Sequence, residues 1–559
     1  MSGPHEPAAG PDSTVARSSI AMAAGTVASR VLGVVRQSLI VVSIGQGLTA
    51  NAFTTANTLP NIVYMLVAGG VLNSVLVPQL VRAMAAPDGG RDYTDRLVTL
   101  AVSGFVVVTV AATAAAGLLV RTYTDRLSGT ALDLAVFFAA ITIPQVFFYA
   151  MYALLGQVLN ARGRFAAFGW SPAIANLVAI VGVLAFMRLY DGHLAPGEWT
   201  PQMVWWFAGT ATASIVAQAA VLVWPLWRSG FRWRPRFGLR GVGLRATSRV
   251  AGWAFGALLV SQLGYLVASR VMWLASGGDT ATDAAPFVAG VAVWANAMFV
   301  FIVPHSFVAL SIVTAMYPRI AAAAHAGDRR ALRRDYRRGL LVPAALTVPA
   351  SAALVTFALP LTGLLYSSRN PAEVPATATV LAIMAPGVLA FGVDVLNQRV
   401  LYALEAGRIA FVEQCVLTVV AVAVTLTSLA FPPEWTTPII AVGLVLSNVT
   451  AAAYGMLVLR RRIGRFSLRR VLRTWGRIAL ASAGAAYLAW GIVLVLTRVL
   501  PPGRWADLLV LVVGGVFFGT LYLVLARALR VREIAVLAAP IVNRLDRRSP
   551  GRHRGEDPS

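Results

Sequence analysis

The chain has 559 residues, 58% of them hydrophobic and 13% charged, with a mean hydropathy of +0.72 and a formal net charge of +24. The charge fraction is about half that of an ordinary soluble protein, and alternating polar and apolar residues are rare, which argues against a soluble enzyme and against a strand-built barrel. No lysine occurs, so all 47 basic residues are arginine, and a P-loop lysine, a Schiff-base lysine and a Walker-type ATPase are excluded.

Repeated apolar runs of about 20 residues point to an all-α polytopic membrane protein. About fourteen spans are expected: 16–44, 50–83, 96–122, 131–160, 165–188, 201–226, 246–275, 286–322, 336–366, 373–404, 407–430, 437–462, 469–498 and 505–530. Residues 1–15 are polar, lack the apolar core and cleavage site of a signal peptide, and are expected to be a disordered cytoplasmic N-terminus.

The first span carries Arg30 and Arg36 inside an apolar run. At 100° per residue, Arg36, Ser29, Gly33, Thr26, Gln37 and Arg30 share a polar face about 120–140° wide. Arg30 lies about 20 Å into the span, too deep for easy snorkelling. A mid-bilayer arginine costs about 2.5–3.5 kcal/mol on insertion scales. Two on one face favour a hydrated cavity that attracts an anion. A plainer role, capping helix carbonyls or pairing with a carboxylate, competes with this.

In the second span Pro60 and the pair Gly69-Gly70 interrupt the run, and Pro304 does so in the eighth; all are candidate hinges. The seventh span adds Gln262 and Arg270, which could face the same cavity. Guanidinium suits two-point phosphate contact, so a pyrophosphate-bearing substrate or another large organic anion fits. His305 reads as a packed or water-bonded histidine. Asp394 and Asn397 share a face of the tenth span as a candidate cation or proton site, against the plainer reading of Asp394 as a partner for an arginine such as Arg399. Glu413 is expected to be solvated or arginine-paired. Cys415 is single, so no intramolecular disulfide forms, and no metal cluster is expected.

Arginine-rich loops alternate with short acidic or neutral ones. The basic set includes Arg162, Arg164, the run from Arg228 to Arg245, Arg329–Arg338 and Arg460–Arg477; the other set includes Asp191, Glu198, Asp279, Asp283, Glu373 and Glu434. The positive-inside rule places the basic set and both termini in the cytoplasm.

Ser29-Arg30-Val31 recurs as Ser269-Arg270-Val271 and Pro78 as Pro318, 240 residues on; Pro60 recurs as Pro304 and Gly163-Arg164 as Gly407-Arg408, 244 residues on. Six spans separate the copies, so both insert in the same orientation. The expected architecture is two parallel-repeat six-helix lobes, 16–226 and 246–462, joined by a basic linker at 227–245. Two extra helices follow in 463–530, then a basic cytoplasmic tail at 531–559.

SRVLGVVR, NAFTTANTLPNIVYMLVAGGVLNSVLVPQL and LNARGRFAAFGWSPAIAN resemble the MviN/MurJ lipid II flippases, of the multidrug/oligosaccharidyl-lipid/polysaccharide exporter superfamily. The resemblance implies two lobes in a V, two helices lining a groove for the lipid tail, and transfer of the undecaprenyl-diphosphate-linked disaccharide-pentapeptide across the bacterial cytoplasmic membrane for cell wall synthesis. Arg30 and Arg36 match the family's cavity arginines. The chain departs from the pattern at Asn51, where an acid is expected, at Tyr64-Met65, where a basic pair is expected, and at Phe299 and Ile302, where an arginine and a glutamate are expected. The composition suggests an actinobacterial branch.

A lipid II flippase working by alternating access is therefore expected, a transporter and not an enzyme. The alternatives are a flippase for another polyprenyl-diphosphate-linked glycan, a drug/cation antiporter of the superfamily, or a non-transporting scaffold for cell-wall synthases. No cofactor is expected; a coupling cation or the membrane potential are the candidate sources of drive. Membrane lipids are expected partners, cell-wall synthesis and division proteins are candidates, and nucleic acid is not expected. The arginine-rich loops predict that a reporter fused after Ser559 is active only if it functions inside the cell; an exported signal would overturn the orientation.

Overall fold

A computed structural model describes residues 11–68, 91–125, 127–162, 164–230, 232–237, 249–276 and 287–534. Among the described residues every regular element is helical. Thirteen helical segments among the described residues are long and apolar enough to cross a membrane. The helix Leu48–Val67, rich in Thr and Asn, stands where the second expected span begins. The hinge candidates Gly69 and Gly70, like the repeat proline Pro78, lie outside the described residues. The first helix is described from Pro11, inside the stretch expected to lack structure.

Contacts divide the chain into two compact units. One comprises Met1–Met298, Thr362–Val380 and Gly407–Ser447; the other comprises Phe299–Leu361, Leu381–Ala406 and Asn448–Ser559.

In the first unit the helices Pro11–Ile44 and Phe165–Leu189 pack closely because small residues meet. A Cβ on Gly25 would lie 2.7 Å from the Gly169 carbonyl oxygen, and one on Gly169 would lie 2.8 Å from Met22 Cα. Close backbone approach replaces the hydrophobic drive that lipid cannot supply. The same first-with-fifth pairing recurs between Arg249–Ala275 and Gly407–Thr427, where Gly264 meets Thr418 and Gly256 meets Phe411. Sequence repetition is thus matched by repeated helix pairing. The unit's core is aromatic: Phe53 packs edge-on to Phe138 and Phe207, and Trp199 stacks on Phe186 at 5.6 Å. All five rings are buried.

In the second unit the last two helices, Leu468–Val499 and Arg504–Ala528, pack along period-four stripes. Ala481, Ala485, Ala489 and Val493 are buried on one, and Val510, Gly514, Phe518, Tyr522 and Ala526 on the other. That spacing lays one ridge on a single helix face.

Prolines inside helices leave a carbonyl four residues earlier without its donor. At three of them a side-chain hydroxyl takes the vacant place. Pro60 frees the Ala56 carbonyl, and Thr142 Oγ1 lies 3.0 Å from that oxygen and also 3.0 Å from the Phe138 carbonyl of its own helix, so its one proton is shared between the two. Pro172 frees Phe168, whose carbonyl accepts from Ser171 Oγ at 3.1 Å. Pro349 frees Ala345, whose carbonyl accepts from Tyr522 Oη at 2.7 Å. Leu48–Val67 runs helical through Pro60. Pro304 differs: the α-helix Val291–Pro304 ends on it and a π-turn, His305–Ala309, follows.

Thr142→Val should therefore cost about 1–3 kcal/mol by orphaning a buried carbonyl. In a Pro60→Ala background the restored N–H should remove most of that cost. Thermal denaturation in detergent of both single variants and the double variant tests this; an undiminished Thr142→Val cost beside Ala at position 60 would sink the explanation.

Candidate functional site

The polar face of the first helix divides into groups used for packing and groups left over. Asn176 Nδ2 donates to the Ser29 carbonyl at 2.8 Å and approaches Ser29 Oγ at 3.3 Å. Gln37 Nε2 donates to Asn296 Oδ1 at 2.7 Å, and Ser38 Oγ donates to the Leu365 carbonyl. The Gln37 contact continues inward: Asn296 Nδ2 donates to Gln46 Oε1 at 2.7 Å, Thr377 Oγ1 donates to the same oxygen at 3.0 Å, and Tyr366 Oη donates to the Asn296 carbonyl at 3.1 Å. Gln37 and Ser29 are thus structural. Val27, Val31 and Val35 form an exposed apolar stripe on the same helix.

Arg30 and Arg36 are both half-buried. Six residues apart, they stand about 120° apart around the helix and about 9 Å apart along it. Arg36 Nε is buried and has no hydrogen-bond partner among the described residues. Tyr149 lies within electrostatic reach of its guanidinium. Around Tyr149 is a loosely bonded polar group: its hydroxyl donates to Gln145 Oε1 at 3.4 Å, and Gln145 Nε2 lies 3.2 Å from Thr212 Oγ1 and 3.4 Å from Asn57 Oδ1. The Tyr64 ring lies 5.8 Å from that of Tyr149. Long, exchangeable hydrogen bonds beside an arginine with a spare donor suit a site that trades partners. Tyr149, Gln145, Asn57 and Thr212 were not singled out in the sequence; the spacing of Gln145 and Tyr149, four residues apart after Pro144, is the signal that could have marked them.

Arg270 is placed differently. Its Nη2 lies 3.1 Å from Asp125 Oδ2, with the two side chains 44% and 37% exposed. It precedes its helix end at Ala275 by about 8 Å, whereas Arg30 precedes Ile44 by about 21 Å. The two matched arginines therefore do not share a depth. Gln262 is half-buried, and its Nε2 has no partner among the described residues.

In the second unit Asn397 is fully buried; Tyr336 Oη donates to its Oδ1 at 2.7 Å and its Nδ2 donates to the Ala452 carbonyl at 3.1 Å. Asp394 is buried and accepts from Gln398 Nε2 at 2.8 Å. Arg399 lies over the Tyr317 ring at 5.4 Å. A cation using the Asn397 oxygen would have to compete with Tyr336. His305 is buried with its ring 4.4 Å from that of Phe391, a packed histidine as expected. In the first unit Glu413 is fully buried, so the solvated state expected for it is not found.

Asn51, at the position where an acid is expected, has a definite task. Its Oδ1 accepts from the Ala292 backbone N–H at 2.8 Å, satisfying a donor at the start of Val291–Pro304. Gly290 permits the approach, since a Cβ there would lie 2.4 Å from Asn51 Nδ2. An aspartate could make the same bond.

The loop after Leu189 forms a cavity of about 590 Å3 with Ser367–Arg369. There Arg369 donates to Asp191 at 2.8 Å and, with the His193 backbone N–H, holds the carboxyl below its ordinary range. The pair is exposed and contributes little to stability.

A helical bundle of this size, with parallel repeats and arginines set into an otherwise apolar span, is a polytopic membrane transporter. A multidrug resistance MATE family transporter of the MOP superfamily, inward-facing, shares the fold with a TM-score of 0.63 at 16% identity, over 78% of this chain and 94% of that one. A lipid II flippase MurJ in an inward closed conformation shares it with a TM-score of 0.68 at 15% identity, over 91% and 99%. The family model for lipid II flippase MurJ matches residues 40–546, and the chain belongs to that family. Its activity is that of a lipid II flippase, a transporter and not an enzyme. Relatives include the probable lipid II flippases MurJ of Rhizobium meliloti, 26% identical over 66% of each chain, and of Synechocystis, 25% identical over 84% of this chain and 86% of that one.

The exposed Arg270–Asp125 pair should show a coupling of about 0.2–1 kcal/mol in a double-mutant cycle of Arg270→Gln and Asp125→Asn read by thermal denaturation. A coupling above about 2 kcal/mol would mark the pair as desolvated and structural.

Proposed function

We propose that this chain carries lipid II from the inner to the outer leaflet of the bacterial cytoplasmic membrane by alternating access, with both chain termini inside. The observation that carries the reading is Arg36: a half-buried guanidinium whose Nε has no hydrogen-bond partner among the described residues, near loosely bonded Tyr149 and Gln145. Arg36 would meet the diphosphate of the lipid carrier, and Arg30 would add charge to the same path. Gln262, with its own unsatisfied amide, is a further contact for the polar headgroup. Arg270 joins them only by exchanging Asp125 for substrate. The two six-span lobes would move on hinges, of which the π-turn after Pro304 is the best supported. A coupling cation or the membrane potential would drive the cycle, with Asp394 as the carboxylate for a proton or ion. Cell-wall synthases are the partners that would consume the product.

The role of Arg36 is charge and geometry together. Arg36→Lys should retain part of the activity, because lysine cannot make the planar two-point contact. Arg36→Ala should reach normal membrane abundance, since removing a buried charge eases insertion, yet lose function. Complementation of a flippase-depleted strain, scored beside membrane abundance and a probe for lipid II on the outer leaflet, measures both. Full complementation by Arg30→Ala with Arg36→Ala at normal abundance would falsify the proposal.

A further inference from the structure

The second unit holds a cavity of about 460 Å3 whose walls carry Arg329, Arg461 and Arg462 above a floor that includes the buried Leu332 and Ile463. Two turns assemble it. Gly327, at φ +67°, ends one helix, and Asp328 starts the next by accepting from the N–H groups of Arg330 and Ala331 at 2.9 and 3.0 Å, which sets Arg329 at the helix start. Gly464, at φ +99°, turns the chain after Arg462, and a Cβ there would lie 2.9 Å from Arg333 Nη1. The missing side chain lets a fourth guanidinium lie across this turn.

Arg329, Arg461 and Arg462 make no ion pair among the described residues. Like charges lining one cavity repel, and a bound anion relieves them. Guanidinium groups match the oxygens of a phosphate in two-point geometry. What lies below Arg461 indicates the rest of the ligand. Val449, Ala453 and Leu457 precede it at steps of four on the same helix, all exposed, the valine and leucine by 48% and 49%. A continuous apolar lane leading to an arginine cavity has the shape of a lipid: an acyl chain along the lane and a phosphate at its end. Basic cavities at the ends of spans are a known setting for anionic headgroups.

We propose that this cavity binds the phosphate of an anionic glycerophospholipid, with one acyl chain along Val449, Ala453 and Leu457. The test is native mass spectrometry of the full chain purified in detergent, titrated with phosphatidylglycerol or phosphatidylethanolamine. Phosphatidylglycerol should be retained about tenfold or more over phosphatidylethanolamine. Arg329→Gln with Arg461→Gln and Arg462→Gln should abolish that preference. Arg469→Gln with Arg473→Gln and Arg477→Gln removes the same charge from residues that do not line the cavity and should preserve it. Ala324→Phe, which fills the cavity without changing charge, should also weaken retention. An equal preference in the two triple variants, retained or lost, would overturn the proposal. So would displacement of phosphatidylglycerol by an equal concentration of inorganic pyrophosphate, which would assign the cavity to free phosphate.

Discussion

A backbone carbonyl without a donor costs several kcal/mol in hydrocarbon, and much of this structure is arranged around that constraint. Helices satisfy most carbonyls by themselves. Prolines create exceptions, and Thr142, Ser171 and Tyr522 each supply a hydroxyl to the carbonyl that a proline frees. Asn51 does the converse at a helix start, giving an acceptor to the Ala292 N–H. The bonds of Thr142, Tyr522 and Asn51 join different helices at fixed depth, which apolar contact alone, being non-directional, does not do, while that of Ser171 stays within its own helix.

Against that background the Nε of Arg36 is buried with no hydrogen-bond partner among the described residues, as are Gln262 Nε2, Trp199 Nε1 and Arg460 Nε, so what sets Arg36 apart is its charge inside an otherwise apolar span. Arg270 shows what structural pairing looks like here: an aspartate at 3.1 Å near a helix end, where water reaches both groups. The contrast separates the two arginines that the internal repeat had matched. Equivalent position in a repeat is not equivalent depth in a span.

The fold was largely legible from sequence because hydropathy and arginine placement act over long stretches. The first-with-fifth helix pairing of each repeat, with glycines at the crossings, was not legible there, because it depends on which distant small residues meet. The site was legible only in part. Helical periodicity put Ser29, Gln37, Arg30 and Arg36 on one face, but periodicity cannot say which of them a neighbouring helix will claim. Asn176 took Ser29 and Asn296 took Gln37, partners 147 and 259 residues away. At Pro60 periodicity cannot say which side chain approaches the carbonyl the proline frees, and Thr142 is 86 residues from Ala56. Asn51 looked like a lost charge and proved to be a retained acceptor.

The bond from Tyr522 to the Ala345 carbonyl gives the last two helices a significance beyond adding a surface. Pro349 is tolerable because a side chain from the final span completes the backbone of an earlier one. That makes the terminal pair a lineage commitment. A shorter bundle of this fold carrying Pro349 would leave the Ala345 carbonyl without the Tyr522 hydroxyl. Once Pro349 is present, loss of the final span carries a penalty in the heart of the bundle. History of this kind would be written as joint occurrence, a proline in one helix and a hydroxyl in another, with neither informative alone.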